Sequence, residues 1–252
     1  MSEDLVQNDK KVVEVIKEEK IKKSQSKKSI DLEGLQDFYE DNKKVITYGG
    51  GALLAIIAIF SFYKLYWLPG QEKEAGNEIF YAQNYFERDS FNIALNGGVN
   101  VPSSEGPKTM MGFKDIADSY SSTKSGRLSN YYAGICLLRT GKYQEAIEYL
   151  EKFNAKDEMV APMAIGLIGD ANMELNNVDE AIKYYLSASE KSTNQFTTPL
   201  FLRKAAFAYE QKSEFKEALG LYERLKNEYG KTEEAREVEK YIARVKTLGN
   251  ID

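Results

Sequence analysis

The sequence predicts an all-α protein in which a solenoid of helical hairpins follows one N-terminal transmembrane helix. Three observations carry that prediction. Nineteen residues from Val45 to Tyr63 contain no charge. Three octapeptides, YQEAIEYL at 143–150, VDEAIKYY at 178–185 and FKEALGLY at 215–222, align without gaps. A small residue, Gly134, Gly169 or Ala206, stands twelve positions before the central alanine of each octapeptide, Ala146, Ala181 or Ala218.

The chain opens on a mixed-charge tail. Residues 1–44 carry ten Lys against eleven Asp and Glu, and residues 1–28 hold no aromatic side chain. Nothing there can bury a core, so disorder or a transient helix is expected. From Ser29, SIDLEGLQDFYEDNKK spaces Ile30, Leu32, Leu35, Phe38 and Tyr39 at three to four residues. That fits either a short amphipathic helix at a membrane face or a helical extension of the apolar run that follows.

That run, within VITYGGGALLAIIAIFSFYKLYWL at 45–68, is the candidate span. Its uncharged part reaches about 28 Å as a helix, close to the hydrocarbon thickness of a bilayer. Lys43 and Lys44 flank one end, and Tyr63, Tyr66 and Trp67 flank the other. Such flanks mark membrane interfaces. Pro69-Gly70 is expected to stop the helix. The 44 preceding residues and the bulky Tyr66, Trp67 and Leu68 argue for an uncleaved anchor over a signal peptide. The competing reading is a buried helix in a purely structural cytoplasmic protein. Lys27, Lys28, Lys43 and Lys44 outnumber Lys73 and Arg88 on the far side, which points to a cytoplasmic N-terminus and a trans-side domain.

Beyond Gly70 the pattern is helical with short polar breaks. The three central alanines lie 35 and 37 residues apart, the period of a helix-turn-helix repeat. Two antiparallel helices approach closely only where a side chain is small, so each Gly or Ala pair marks a helix crossing. Leu150, Tyr185 and Tyr222 recur one turn beyond the alanines, and Thr140-Gly141-Lys142, Asn176-Asn177 and Lys212-Ser213 fall at the turns.

Over residues 126–230 these features resemble three tetratricopeptide (TPR) repeats, without the tryptophan and closing proline of that consensus. Residues 71–122 resemble a degenerate first repeat. EAGNEIFYAQNYFERDSF is its first helix, GFKDIADSYSST its second, and NGGVNVPSSEGPK at 96–108 an irregular insertion. Residues 231–252 form a C-terminal cap, with TEEAREVEKYIARVKTL as its amphipathic helix. Tail, single span and repeat domain together resemble the YfgM-type ancillary subunits of the SecYEG translocon, especially TPR proteins of Bacteroidota. The resemblance implies an inner-membrane adaptor whose periplasmic repeats meet the translocon, periplasmic chaperones or emerging chains in protein export. A scaffold for an envelope assembly complex unrelated to secretion is the alternative.

No constellation for catalysis, cofactor or metal emerges. The sequence has no His, which removes the commonest general base and metal ligand. Cys136 is the single cysteine and sits in an apolar segment. Gly49-Gly50-Gly51 lacks the Lys-Ser/Thr ending of a phosphate loop. Glu233-Glu234 suits a helix start, and no basic footprint calls for nucleic acid.

Binding of protein or peptide partners remains, on the concave surface lined by first helices. The TPR resemblance places there Tyr131, Ile135, Leu138 and Arg139, then Met163, Asp170, Met173 and Glu174, then Leu200, Arg203, Phe207, Glu210 and Gln211. This set is mixed but markedly apolar, and it lacks the Lys and Asn pattern by which some TPR domains clamp a C-terminal carboxylate. In the span, Thr47, Gly51 and Ala55 form a line of small residues through which a homo-oligomer can pack.

Overall fold

The structure, a computed structural model, describes residues 32–103 and 106–252. The expectations for the tail at 1–28 and for Ile30 lie outside the described residues. The chain divides into one unit ending at Tyr63 and a second unit, Lys64–Asp252.

The first unit is built on α1 (Leu32–Phe62). The helix runs unbroken through Lys43-Lys44, so the described part of the amphipathic stretch is a helical extension of the apolar run. Val45, Leu54 and Ile59 are about 70% exposed, as the outside of a lipid-facing helix would be. A π-helical turn, Tyr63–Trp67, leads into α2 (Leu68–Phe86). Pro69-Gly70 therefore does not end a helix. Pro69 sits in the first turn of α2, where its missing N–H costs little, and the wider π turn lies just before it.

The first repeat corrects the sequence reading in a second place. Its second helix begins earlier than GFKDIADSYSST, at α3 (Phe91–Asn96), whose FNIAL aligns with FKEAL at 215–219. Ala94 holds the place of Ala146, and Ala82, twelve residues before it, holds the place of Gly134; both are fully buried. The helix then breaks into an antiparallel hairpin of β1 (Gly97–Val101) and β2 (Lys108–Met111) and resumes as α4 (Phe113–Ser119). Ala94 and Ala146 are 52 residues apart, and without the 15 residues Gly97–Met111 the period is 37.

The insertion leaves and rejoins the helix at one point. A Cβ on Gly112 would lie 2.3 Å from the Leu95 carbonyl and 2.5 Å from the Gly97 nitrogen, and Gly97 itself has a φ of 67°. Only glycine tolerates both the approach and the angle. The hairpin is pinned to α2 by the Tyr81 hydroxyl, which donates to the Pro102 carbonyl at 2.6 Å, and by a 2.5 Å Lys108–Glu78 ion pair. Deleting Gly97–Met111 and joining Asn96 to Gly112 is expected to leave a folded domain of unchanged helicity by circular dichroism, because the two ends already touch.

The remaining hairpins are α5 (Lys124–Arg139) with α6 (Tyr143–Lys152), α7 (Val160–Glu174) with α8 (Val178–Lys191), and α9 (Thr197–Gln211) with α10 (Phe215–Tyr229). Their crossings lie at the small residues. A Cβ on Gly134 would meet Leu150 at 2.5 Å, one on Gly169 would meet the Tyr185 ring at 2.6 Å, and Ala206 shares a core cluster with Tyr222.

The turns repeat as closely as the crossings. Asp89, Gly141, Asn176 and Ser213 all adopt positive φ, and each is enclosed by a six-residue backbone bond such as Lys142 N–H to Leu137 O at 2.8 Å. This left-handed closure satisfies the last carbonyls of each first helix. Residues 233–235 form a 3-10 turn, so the cap helix α11 (Val238–Gly249) starts later than expected. Val238 and Val245 are buried, covering the last apolar face together with Tyr241 and Ile242.

Candidate functional site

A cavity of about 840 Å³ opens on the side lined by the first helices α7 and α9 and by α11. Asp170, Met173, Glu174, Arg203, Phe207 and Gln211 of the expected groove set line it, joined by Lys204, Tyr185, Tyr241 and Arg244. The other members of the expected set lie outside this cavity's lining. Tyr131 packs on Phe153 at 5.4 Å between ring centroids, and Leu138, Met163 and Leu200 pack against core clusters. Ile135 is half-buried, and the Arg139 guanidinium stacks 5.2 Å over the Phe91 ring.

Two matching rungs organise the cavity. Asp170 accepts from the Tyr185 hydroxyl and from Lys204 Nζ, each at 2.7 Å. Glu210 accepts from the Tyr222 hydroxyl at 2.6 Å and from both Nε and Nη2 of Arg244 at 2.9 and 2.7 Å. In each rung a carboxylate on one first helix meets a cation 34 residues later, on the first helix of the next layer. A tyrosine from the intervening second helix completes the rung. α11 therefore occupies the place of a further first helix, and its Arg244 joins the cap to α9.

These bonds set the local electrostatics. Burial, then the Asp170 carboxylate, pushes the Tyr185 hydroxyl far above the ordinary tyrosine range. Burial and the bond to Glu210 do the same for Tyr222. The folded values lie above the unfolded value of about 10, so the stability these hydroxyls lend is complete below pH ~10 and lost as pH rises beyond it. In an alkaline titration followed by tyrosinate absorbance, these two rings are expected to ionise only together with loss of helical circular dichroism.

Lys204 and Arg244 are committed to carboxylates, whereas Arg203 is placed differently. Its Nε is buried without a hydrogen-bond acceptor, and the residue lines both the main cavity and a neighbouring one with Glu233, Glu234 and Glu237. Beside it Phe207 is 50% exposed. The site thus offers an apolar ring and a guanidinium edge between two closed ionic rungs. It is more charged than the sequence implied. Lys204 and Arg244 were missed, although the 34-residue interval between each and its carboxylate is present in the sequence.

Cys136 lies outside this arrangement. Cys136 is fully buried, and burial pushes its thiol up to about 12. Among the described residues, no group of three acidic, Cys or His side chains could hold a metal ion.

Comparison with known proteins agrees with the geometry. The tetratricopeptide repeat family matches residues 133–196. The repeat domain is a TPR-like solenoid. The crystal structure of MamA protein is similar to it, with a TM-score of 0.50 and 15% identity over 70% of this chain and 84% of that one. A Podosopora anserina structure of nearly identical TPR-like repeats, from a candidate kinesin light chain, matches 73% of this chain and 87% of its own at 15% identity, with a TM-score of 0.48. No curated protein sequence matches the chain.

Proposed function

We propose that the protein is a membrane-anchored adaptor whose repeat domain holds an extended or helical segment of another protein in the α7–α9–α11 cavity. TPR-like solenoids are protein-interaction modules, and the observation that carries the finer reading is that exposed Phe207 and Arg203, whose buried Nε has no acceptor, line one cavity. Phe207 and Met173 suit an apolar side chain of the segment, and Arg203 suits a carboxylate or backbone carbonyl. No catalytic role is part of this reading.

The anchor is α1, one helix long and apolar enough to cross a membrane, with its apolar side chains exposed. The lysines before it favour a cytoplasmic N-terminus and a repeat domain on the periplasmic side of an inner membrane. In that place the partner is a component of the export machinery, such as the SecYEG translocon, a periplasmic chaperone or an emerging chain. Protease added outside spheroplasts should degrade the repeat domain and spare the tail. Crosslinking in native membranes should then recover export components, and recovery of unrelated envelope proteins alone would refute the export assignment.

The helix also presents Thr47, Gly51 and Ala55 on one line, and a Cβ on Gly51 would meet nothing within 4 Å. That line is proposed to pair two copies in the bilayer. Gly51→Ile is expected to abolish the signal of a transmembrane dimerisation reporter, and an unchanged signal would remove the idea.

A further inference from the structure

A chain of contacts links the start of the repeat unit to a second surface, away from the α7–α9–α11 cavity. Glu72, in the second turn of α2, accepts the N–H of Lys124 at 2.6 Å, the N–H of Ser125 at 3.0 Å and the Ser125 hydroxyl at 2.7 Å. Burial opposes its charge, but the Ser125 hydroxyl and the two backbone donors outweigh it and hold the carboxyl below its usual range. The N-terminus of α5 is thereby fixed beside α2. From there a cavity of about 760 Å³ joins Lys124, Arg127 and Leu128 to Phe153, Lys156 and Val160 at the α6–α7 connection. Next along, Asn194 Nδ2 donates to the Glu158 carbonyl at 3.0 Å, which ties the α8–α9 connection to the α6–α7 one.

This end carries a repeated apolar feature. Asp157 and Asn194 accept backbone N–H groups just before α7 and α9, whose N-cap residues are Met159 and Phe196. Both N-cap residues are exposed, Met159 by 43% and Phe196 by 68%. The cavity lining beside them holds three cations, Lys124, Arg127 and Lys156, against one carboxylate, Asp157, which accepts backbone N–H groups, while Glu158 stands exposed outside the lining. Exposed apolar side chains among Lys and Arg are the composition of a surface that settles into lipid headgroups.

The repeat unit begins at Lys64, two residues after the end of α1, and Glu72 lies eight residues further along the chain. We infer that the end of the solenoid formed by the starts of α5, α7 and α9 docks on the anionic phospholipid surface from which α1 emerges, with Phe196 and Met159 entering the headgroup layer. The inference rests on reading α1 as the membrane anchor. Docking of this kind fixes the height and tilt of the partner-binding cavity over the bilayer.

The test uses the full chain in vesicles of phosphatidylcholine with phosphatidylglycerol, doped with a nitroxide-headgroup lipid, against vesicles of phosphatidylcholine alone. A fluorophore is placed at Gln195→Cys or, as the control at the other end of the hairpins, at Lys216→Cys; both sites are exposed, while buried Cys136 stays unlabelled. Quenching several times stronger at 195 than at 216, dependent on phosphatidylglycerol and weakened by salt, is the expected result. Lys124→Gln, Arg127→Gln and Lys156→Gln should each weaken docking by roughly fivefold. Met159→Asp with Phe196→Asp should remove the difference between the two positions without changing the melting temperature. Weak, equal quenching at both positions in protein that resists carbonate extraction would overturn the docking surface and leave the anchor standing. That is also the outcome if this end docks a protein instead. Release of the protein by carbonate would overturn both.

Discussion

Gly166→Val is expected to destabilise the repeat domain strongly. Gly166 lies in α7, and a Cβ there would fall 1.8 Å from Cε1 and 2.1 Å from Cζ of Phe201, a fully buried ring on α9. The ring is 1% exposed and lies parallel to Tyr185 at 6.4 Å between centroids, so moving it disturbs packed neighbours. Overpacking a close-packed core costs about 1–3 kcal/mol and more where the neighbour is rigid. A loss of about 3 kcal/mol corresponds to a fall of roughly 6–12 °C in melting temperature for a domain of this size. Gly220→Ala is the internal control. It lies on the exposed side of α10 with nothing within 4 Å of a new Cβ, and the exchange should stabilise by about 0.5–1 kcal/mol. Thermal melts followed at the helical circular dichroism band measure both.

The second large effect is on binding. Arg203→Ala combined with Phe207→Asp should reduce partner capture by at least about 30-fold, the loss that follows when a central anchor worth about 2 kcal/mol or more is removed. Phe207 is half exposed and Arg203 Nε has no acceptor to lose, so the fold should persist. Quantitative pull-down, paired with an unchanged melting curve, separates loss of contact from loss of structure. Full capture by the folded double variant would show that the cavity is not the binding surface.

The repeat architecture was legible where its physics is local. Gly134, Gly169 and Ala206 mark crossings because a Cβ there meets the opposite helix, and Gly141, Asn176 and Ser213 mark turns because the backbone enters the left-handed region. The first repeat was misread for an equally physical reason. FNIAL at 91–95 is cut short by a hairpin of 15 residues, and a helix interrupted in sequence shows no sustained 3.6-residue period. Pro69 misled similarly, since a proline that stops one helix is indistinguishable in sequence from one that begins the next.

The expected groove set coincides with the cavity lining only in part. Position within the repeat located Asp170, Met173, Arg203 and Phe207, which line the cavity. It also nominated Tyr131, Met163 and Leu200, which are half-buried against core clusters and do not line it. Lys204 and Arg244 escaped notice because an ion pair between successive layers has no local signature and is visible only as a 34-residue interval. Such pairs depend on stacking of one repeat on the next, which the pattern within a single repeat does not encode.

The central claim is that the α7–α9–α11 cavity holds a protein segment. Photocrosslinking from a benzoylphenylalanine placed at Phe207, against one at Glu223 on the exposed side of α10, tests it most directly in native membranes. A discrete adduct from position 207 that is lost with Arg203→Ala, and none from position 223, is the expected result. An adduct from position 223 with none from position 207, in protein of unchanged melting temperature, would contradict it.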